Sequence, residues 1–230
     1  MLTAIIVAAG SSRRIGFDKL FETIAGRPVI AHTIDAFELA DSVAEIIVVT
    51  RKDRCNEIRK ISRDQSFKKV QAIITGGEHR QDSVRAGLEN LSRDARYVAV
   101  HDAARPLVTP EQIERVFEQS QMHDAAALAE PVRDTLKYAG VDLVVTDSVD
   151  RHQLYAMQTP QIFKRGLIEE AYRAIAEGVL ATDEVSAVER LGHKVFLVSN
   201  NELNFKITYP CDLPLAEFVL NQRARPGKGN

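Results

Sequence analysis

Residues 3–19, TAIIVAAGSSRRIGFDK, decide the fold. Thr3 to Ala9 is an apolar, β-branched run of the kind that forms a strand buried on both faces. The run ends at the small residues of AAGSS, with Arg13 and Arg14 following at once and Lys19 five residues later. Small residues let a backbone close around a ligand, and successive N–H groups in such a turn form a concavity that suits an anion. Guanidinium and ammonium groups on that turn complement phosphate charge. The same letters also describe an ordinary polar β-to-α turn with solvated basic residues. The stretch poses a question that the remaining chain must answer.

Outward from it, strand and helix alternate. Leu20–Ile24 reads as a short extended piece, and PVIAHTIDAFELA (28–40) as a helix with proline near its first turn. Residues 44–50 form a second buried strand, 52–66 a charged amphipathic helix and 69–75 a third strand, broken by Gly76-Gly77. A helix over 81–91 follows, then a strong fourth strand in RYVAVHDAARP (96–106). Thr109 is a good N-cap, with Pro110 at the first helical position of a helix running to about His123. AAALAEPV (125–132) is a fifth strand. Short connections between alternating elements predict an α/β domain with a largely parallel sheet. No GxGxxG follows the first strand and no GxxxxGK[ST] occurs, which argues against a dinucleotide-binding domain and a P-loop ATPase.

From Arg133 to about Pro160 the helical period disappears, and extended runs flank turns at Ala139-Gly140 and Thr146-Asp147-Ser148. This predicts a β-arm inserted at about 133–160, a functional or oligomerisation device. Helices are expected at 164–178 and 183–192, the second capped by Thr182, with short strands at 194–199 and 204–208. A last helix runs from Tyr209-Pro210 to about Gln222. We expect one domain over 1–224 and a disordered tail at 225–230, where the sequence is basic and rich in proline and glycine.

The 230 residues are 45% hydrophobic and 27% charged with a formal net charge of −2, so no global charge points to nucleic acid or an acidic membrane. No apolar run approaches the roughly 20 residues that span a bilayer. Cys55 and Cys211 lie far apart, neither in a CxxC, which predicts reduced thiols, a cytoplasmic protein and no protein-built zinc site.

In an open parallel sheet, ligands bind beyond the carboxyl ends of the strands. Those ends are expected to carry AAGSSRR, GGEHRQDS (76–83) and HDAARP (101–106), while Lys206 sits between Phe205 and Ile207 in the predicted strand 204–208. Asp82 or Ser83 has an alternative use as a helix cap, and Thr182-Asp183-Glu184 reads as a cap with acidic first-turn residues. Lys206 is equally an edge lysine, and Arg151 and His152 surface residues of the arm. His79, His101 and His152 are isolated and receive no role. Taken together, a basic anion loop, an acid at a neighbouring strand end and a further lysine suit a magnesium–nucleoside triphosphate.

At these residues the chain resembles the 2-C-methyl-D-erythritol 4-phosphate cytidylyltransferases. The likeness rests on AAGSSRR with Lys19, GGEHRQDSVRAGL, VHDAARP, PVRDT, VDR, TPQIF, ATDEVSAVE and NFKITYPCDL. It implies a Rossmann-like nucleotidyltransferase fold and transfer of a cytidylyl group from CTP to methylerythritol phosphate. By motif position it implies that Ala8, Ala9, Gly10 and Ser11 wrap the nucleotide, and that Gly77 and Ser83 lie by the cytidine. Arg14 and Lys19 would neutralise the triphosphate, and Lys206 the charge at the α-phosphate. Asp102, Arg105 and Thr182 would lie near the second substrate. Thr135 and Arg151 would reach a partner's site across a homodimer. Mg2+ would be held mainly by CTP phosphates, with Asp102 near it. The chain departs from the family at Asp18 and Leu20, where proline and glutamine are usual around Lys19, in a shorter loop between Arg14 and Lys19, and at Glu78, where aspartate is commoner. Ribitol-5-phosphate cytidylyltransferase is the nearest alternative, and a non-catalytic nucleotide-binding protein the alternative from another class.

Overall fold

The computed structural model describes residues 1–10, 16–175 and 182–224. The first strand, β1 (Leu2–Ala8), lies in the interior of the main sheet, and its alternation sorts the core into two layers. Leu2, Ala4, Ile6 and Ala8 pack on one side, while Ile5 faces the other. On the first side lie α1 (Val29–Leu39), α2 (Cys55–Asp64), α4 (Pro110–His123) and α7 (Asp212–Ala224), and on the second α3 (Arg80–Glu89), α5 (Arg165–Ala174) and α6 (Glu184–Glu189). A strand with helices on both faces needs apolar residues at every position, which is why β1 reads as an unbroken apolar run.

The remaining strands are β2 (Thr23–Ile24), β3 (Arg27–Pro28), β4 (Val43–Thr50), β5 (Val70–Thr75), β6 (Tyr97–Asp102), β7 (Ala125–Pro131), β8 (Leu136–Ala139), β9 (Val145–Val149), β10 (Tyr155–Lys164) and β11 (Phe196–Ser199). Seven of the strands form one sheet in the order β11-β7-β10-β6-β1-β4-β5. β1 pairs in parallel with both β4 and β6, so successive connections leave it in opposite directions. That reversal opens a crevice at the carboxyl ends of β1 and β6, the place where doubly wound sheets take ligands. Helix α3 closes on β1 through Gly87, where a Cβ would stand 2.6 Å from Ile5 Cγ2.

Three expectations need correction. The β-arm does not extend to Pro160: the separate hairpin comprises only β8 and β9, and residues from Tyr155 return to the main sheet. There β10 runs antiparallel between β6 and β7, with a register shift between Met157 and Gln161 around Pro160, which lacks a ladder N–H. Residues 204–208 pair with no strand; they are held by the Ile207 N–H donating to the Ala104 carbonyl at 2.8 Å. Asp183, not Thr182, caps α6: its Oδ1 accepts from the Ser186 N–H at 2.9 Å. The cap at Thr109 stands as expected, in a box with Gln112. The tail at 225–230 lies outside the described residues.

Candidate active site

β1 delivers Ala8, Ala9 and Gly10 to the crevice. Beside them β4 ends at Thr50, and the next residue, Arg51, donates from Nη1 to the Gly10 carbonyl at 3.2 Å and from Nη2 to Asp18 Oδ2 at 2.5 Å. Arg54 Nε lies 2.9 Å from the same Asp18 oxygen. Arg51 therefore ties together the two flanks of the basic loop, and the unusual Asp18 acquires a use as their anchor. Ser11 and Arg14 lie outside the described residues. Lys19 donates from Nζ to the carbonyl of Ile207, which brings the end of the loop against the segment carrying Lys206. Gly76 follows β5 directly, and a Cβ there would stand 2.4 Å from Ser83 Oγ and 2.9 Å from Ala9 Cβ, so only glycine lets these segments meet. Gly77 is exposed and lies against Asp82, whereas Ser83 is buried.

Asp102, the last residue of β6, is the centre of charge. Its Oδ1 accepts from Arg80 Nε at 3.0 Å and its Oδ2 from Lys206 Nζ at 2.9 Å, with Arg105 Nε 3.8 Å from Oδ2. Arg80 is held at its far end by Glu184, whose two oxygens accept from Nη1 and Nη2 at 2.7 and 2.8 Å. Tyr172 donates its hydroxyl to Glu184 Oε1 at 2.8 Å. Four elements and one irregular segment thus meet in a continuous chain of charge: Tyr172 on α5, Glu184 on α6, Arg80 on α3, Asp102 on β6 and Lys206 on 203–208.

These groups shift one another. Burial alone would raise the Asp102 carboxyl, but Arg80, Lys206 and Arg105 outweigh it and hold the group well below the usual carboxylate range. Burial likewise works against the Arg80 cation, and Glu184 and Asp102 reverse that effect and raise it. Arg105 is lowered by burial. Next to Asp102, His101 is pushed down to about 3 by burial, with Arg105 and Arg80 adding to the effect. Its hydrogen bonds agree with a neutral ring: the Asp102 N–H donates to Thr159 Oγ1 at 3.1 Å, and that hydroxyl lies 3.0 Å from His101 Nδ1. The Arg105 carbonyl, 3.3 Å from Nε2, can only accept, so in the neutral ring Nε2 carries the hydrogen and the Thr159 hydroxyl donates to Nδ1.

A cavity of ≈ 370 Å³ opens over this cluster. Arg80, Asp102, Arg105 and Lys206 form its charged side, and Thr182, Asp183 and Ser186 a hydroxyl- and carboxylate-bearing side. The structure thus brings Asp102, Arg105, Thr182 and Lys206 together, with Lys19 beside them through Ile207. Thr135 and Arg151 are both exposed near the hairpin, away from the cavity lining, and Arg151 Nη1 donates to the Arg133 carbonyl.

Sequence reasoning missed Arg80, Glu184 and Tyr172 as a unit. Arg80 was visible at a strand end, but Glu184 reads locally as a first-turn helix acid, and only its complete burial reveals an internal counter-charge. Gln158, inside the supposed arm, and Gln161, just past its end, were also hidden. Both are buried: Gln161 donates to Asp183 Oδ2 at 3.0 Å, and Gln158 Oε1 accepts from Asn200 at 3.0 Å and Asn204 at 3.2 Å.

A protein-held metal ion does not fit this donor set. Among the described residues no group of three or more His, Cys, Asp and Glu side chains is placed to hold one. Asp102, the expected magnesium contact, already faces three cations and accepts from two of them.

The family model for 2-C-methyl-D-erythritol 4-phosphate cytidylyltransferase matches residues 2–222. The enzyme of that name from Caldanaerobacter subterraneus subsp. tengcongensis is 43% identical over 229 residues, covering 96% of this chain and 99% of the relative. The crystal structure of the 4-diphosphocytidyl-2C-methyl-D-erythritol synthase of Anaerococcus prevotii superposes with a TM-score of 0.83 at 29% identity, over 96% of this chain and 98% of that one. The 2-C-methyl-D-erythritol 4-phosphate cytidylyltransferase of Thermus thermophilus gives 0.78 at 33% identity, over 96% and 100%. Agreement over nearly the full length of both sequence and backbone means that the chain belongs to the 2-C-methyl-D-erythritol 4-phosphate cytidylyltransferase family.

Proposed function

We propose that this protein transfers a cytidylyl group from CTP to 2-C-methyl-D-erythritol 4-phosphate, giving 4-diphosphocytidyl-2-C-methyl-D-erythritol and pyrophosphate. The observation that carries the reading is the cavity in which Lys206, Arg80 and Arg105 surround Asp102 and face the hydroxyls of Thr182 and Ser186, in a chain of this family. A phosphate oxygen of the second substrate attacks the α-phosphorus of CTP; the new P–O bond forms as the bond from the α-phosphorus to the bridging oxygen breaks. The electron pair leaves with pyrophosphate. Such a transfer needs positioning and charge neutralisation and no covalent protein intermediate.

In this reading Ala8, Ala9, Gly10 and Ser11 wrap the nucleotide, and Gly77 and Ser83 lie by the cytidine. Arg14 and Lys19 neutralise the triphosphate and the departing pyrophosphate. Lys206 faces the charge that grows at the α-phosphate, and Asp102, Arg105 and Thr182 orient the polyol phosphate. Magnesium would enter with CTP, held mainly by the nucleotide's phosphates and not by a carboxylate of the described residues, and would supply charge neutralisation.

The protein acts as a two-fold dimer of single-domain subunits in the cytoplasm. The β8–β9 hairpin exposes Tyr138, Val141, Leu143, Val144 and Val145, an apolar surface that suits burial against a second copy. Thr135 and Arg151 then serve the polyol phosphate of the opposite subunit. Free Cys55 and Cys211 accord with a reducing compartment. The test is product identification after incubating the protein with CTP, a magnesium salt and either methylerythritol phosphate or ribitol 5-phosphate. The reading requires a CDP-alcohol and pyrophosphate from the first; product from ribitol 5-phosphate alone would overturn it.

A further inference from the structure

We propose that Arg80 is a positioning residue for this transfer: pinned by Glu184 and Tyr172, it is the permanent counter-charge of Asp102 and leaves Lys206 free to exchange Asp102 for phosphate. The inference rests on the cytidylyltransferase reading above and concerns residues that the reading leaves without a role.

Among the described residues three cations face Asp102, and they differ in how firmly they are held. Arg80 uses three nitrogens at once, Nε on Asp102 and both Nη on Glu184, so its fork has no rotational freedom. Glu184 is fully buried and carries the Tyr172 hydroxyl as a third donor, which fixes the fork from behind. Arg105 stands farther from the carboxylate, at 3.8 Å, and spends Nη1 on the Asn204 carbonyl at 2.8 Å. Lys206 is the most exposed of the three, at 36% for its side chain against 28% and 12%. It sits on a flexible four-carbon stem in a segment with no strand partner among the described residues. Lys206 is therefore the cation that moves.

A lysine that leaves a buried carboxylate exposes the whole desolvation cost of that charge unless another cation remains. With Arg80 in place, Asp102 keeps a hydrogen-bonded guanidinium at 3.0 Å when Lys206 turns to the phosphates. Without Arg80, the remaining cation among the described residues is Arg105, and Asp102 holds Lys206 back. Neutral His101 adds no charge, and Glu184, left without Arg80, adds a second uncompensated carboxylate behind the first. Arg80 thus acts through Asp102 on Lys206, without a bond of its own to the reacting atoms.

The test compares Arg80→Ala, Arg80→Lys, Glu184→Gln and Lys206→Ala in the full chain, reading kcat, KM for both substrates and direct CTP affinity. Arg80→Ala is expected to lower kcat about 100-fold, the scale of a misplaced catalytic group, while CTP affinity stays within about threefold. Millimolar guanidinium chloride, small enough to enter the cavity that Arg80 lines, is expected to restore part of that activity and none in Lys206→Ala. Arg80→Lys keeps the charge but not the fork, so it is expected to recover less than added guanidinium does.

An Arg80→Ala enzyme with unchanged kcat, or one whose lost activity guanidinium does not restore, would overturn the proposal. If Arg80→Ala does not fold, Glu184→Gln decides: lower kcat with CTP affinity retained supports it, and unchanged kcat or equal loss of both overturns it. The wild-type enzyme separates the two claims, because absence of product from CTP and methylerythritol phosphate rejects the assigned reaction itself, whatever the variants do.

Discussion

Asp102→Asn removes one negative charge and almost no volume from the centre of the site, so its cost can be worked from the contacts. The substitution weakens three interactions, with Arg80 at 3.0 Å, Lys206 at 2.9 Å and Arg105 at 3.8 Å. Arg80 retains its two bonds to Glu184, and Lys206 is exposed enough to turn to water. The loss falls mainly on Arg105, whose side chain is only 12% exposed and keeps a carbonyl in place of a carboxylate. Removing one partner of a buried ion pair costs about 3–5 kcal/mol, and with two of three cations otherwise accommodated the expected value is at the lower end. In a domain of this size that is a fall in Tm of about 6–12 °C.

The assay is urea unfolding of wild type and variant at neutral and acid pH. The Asp102 carboxyl titrates below its ordinary 3.8 in the folded protein, despite burial, because of the three cations. Its contribution is therefore complete above that pH and is lost as pH falls through the lower, native value. The stability gap should be widest near neutrality and should narrow below pH 3.8. A neutral-pH gap under about 0.5 kcal/mol, the scale of an ordinary surface substitution, would refute the reasoning. So would a gap that stays constant into acid.

Lys206→Ala is expected to abolish turnover while calorimetry still detects CTP binding, at a stability cost of about 0–1 kcal/mol because the lysine is partly exposed. Undiminished turnover contradicts its role. Arg151→Ala should raise KM for the polyol phosphate and leave CTP affinity nearly unchanged; loss of CTP affinity alone would exclude an arm that serves the opposite subunit. His101, held down at about 3 by burial, contributes stability that is complete above its ordinary 6.5 and declines as pH falls from there towards 3. Its ring protons should show no titration between about pH 8 and pH 5 by NMR, and a midpoint near 6.5 would contradict the neutral, buried assignment.

The sequence by itself determined those features that local chemistry controls. Parallel strands with helices on both faces must be largely apolar, and so β1, β4 and β6 were legible as apolar runs with polar residues at their ends. An N-cap followed by proline is local chemistry, and so the start of the helix at Thr109-Pro110 was legible, and its end at about His123. Ordered motifs along the whole chain likewise marked the family and the strand ends at which Asp102 stands.

Tertiary structure alone decided where pairing is long-range. The first half of β10 reads as part of an arm because its extended run follows the turns of 139–148 with no helix between. Gln158, Thr159 and Gln161 carry no local sign of burial. They are buried because Asn200, Asn204, His101 and Asp183, distant in sequence, satisfy their polar groups. Lys206 reads as a strand residue because apolar neighbours alternate around it, yet alternation does not supply a partner strand. The loop after β1 shows both sides of the division. Its small and basic residues announce an anion site, but Arg51 joining Gly10 to Asp18, and Lys19 reaching Ile207, depend on segments that only folding brings together. Glu184 is the clearest case, since a carboxylate at a helix start has the same letters whether water or a buried arginine answers its charge.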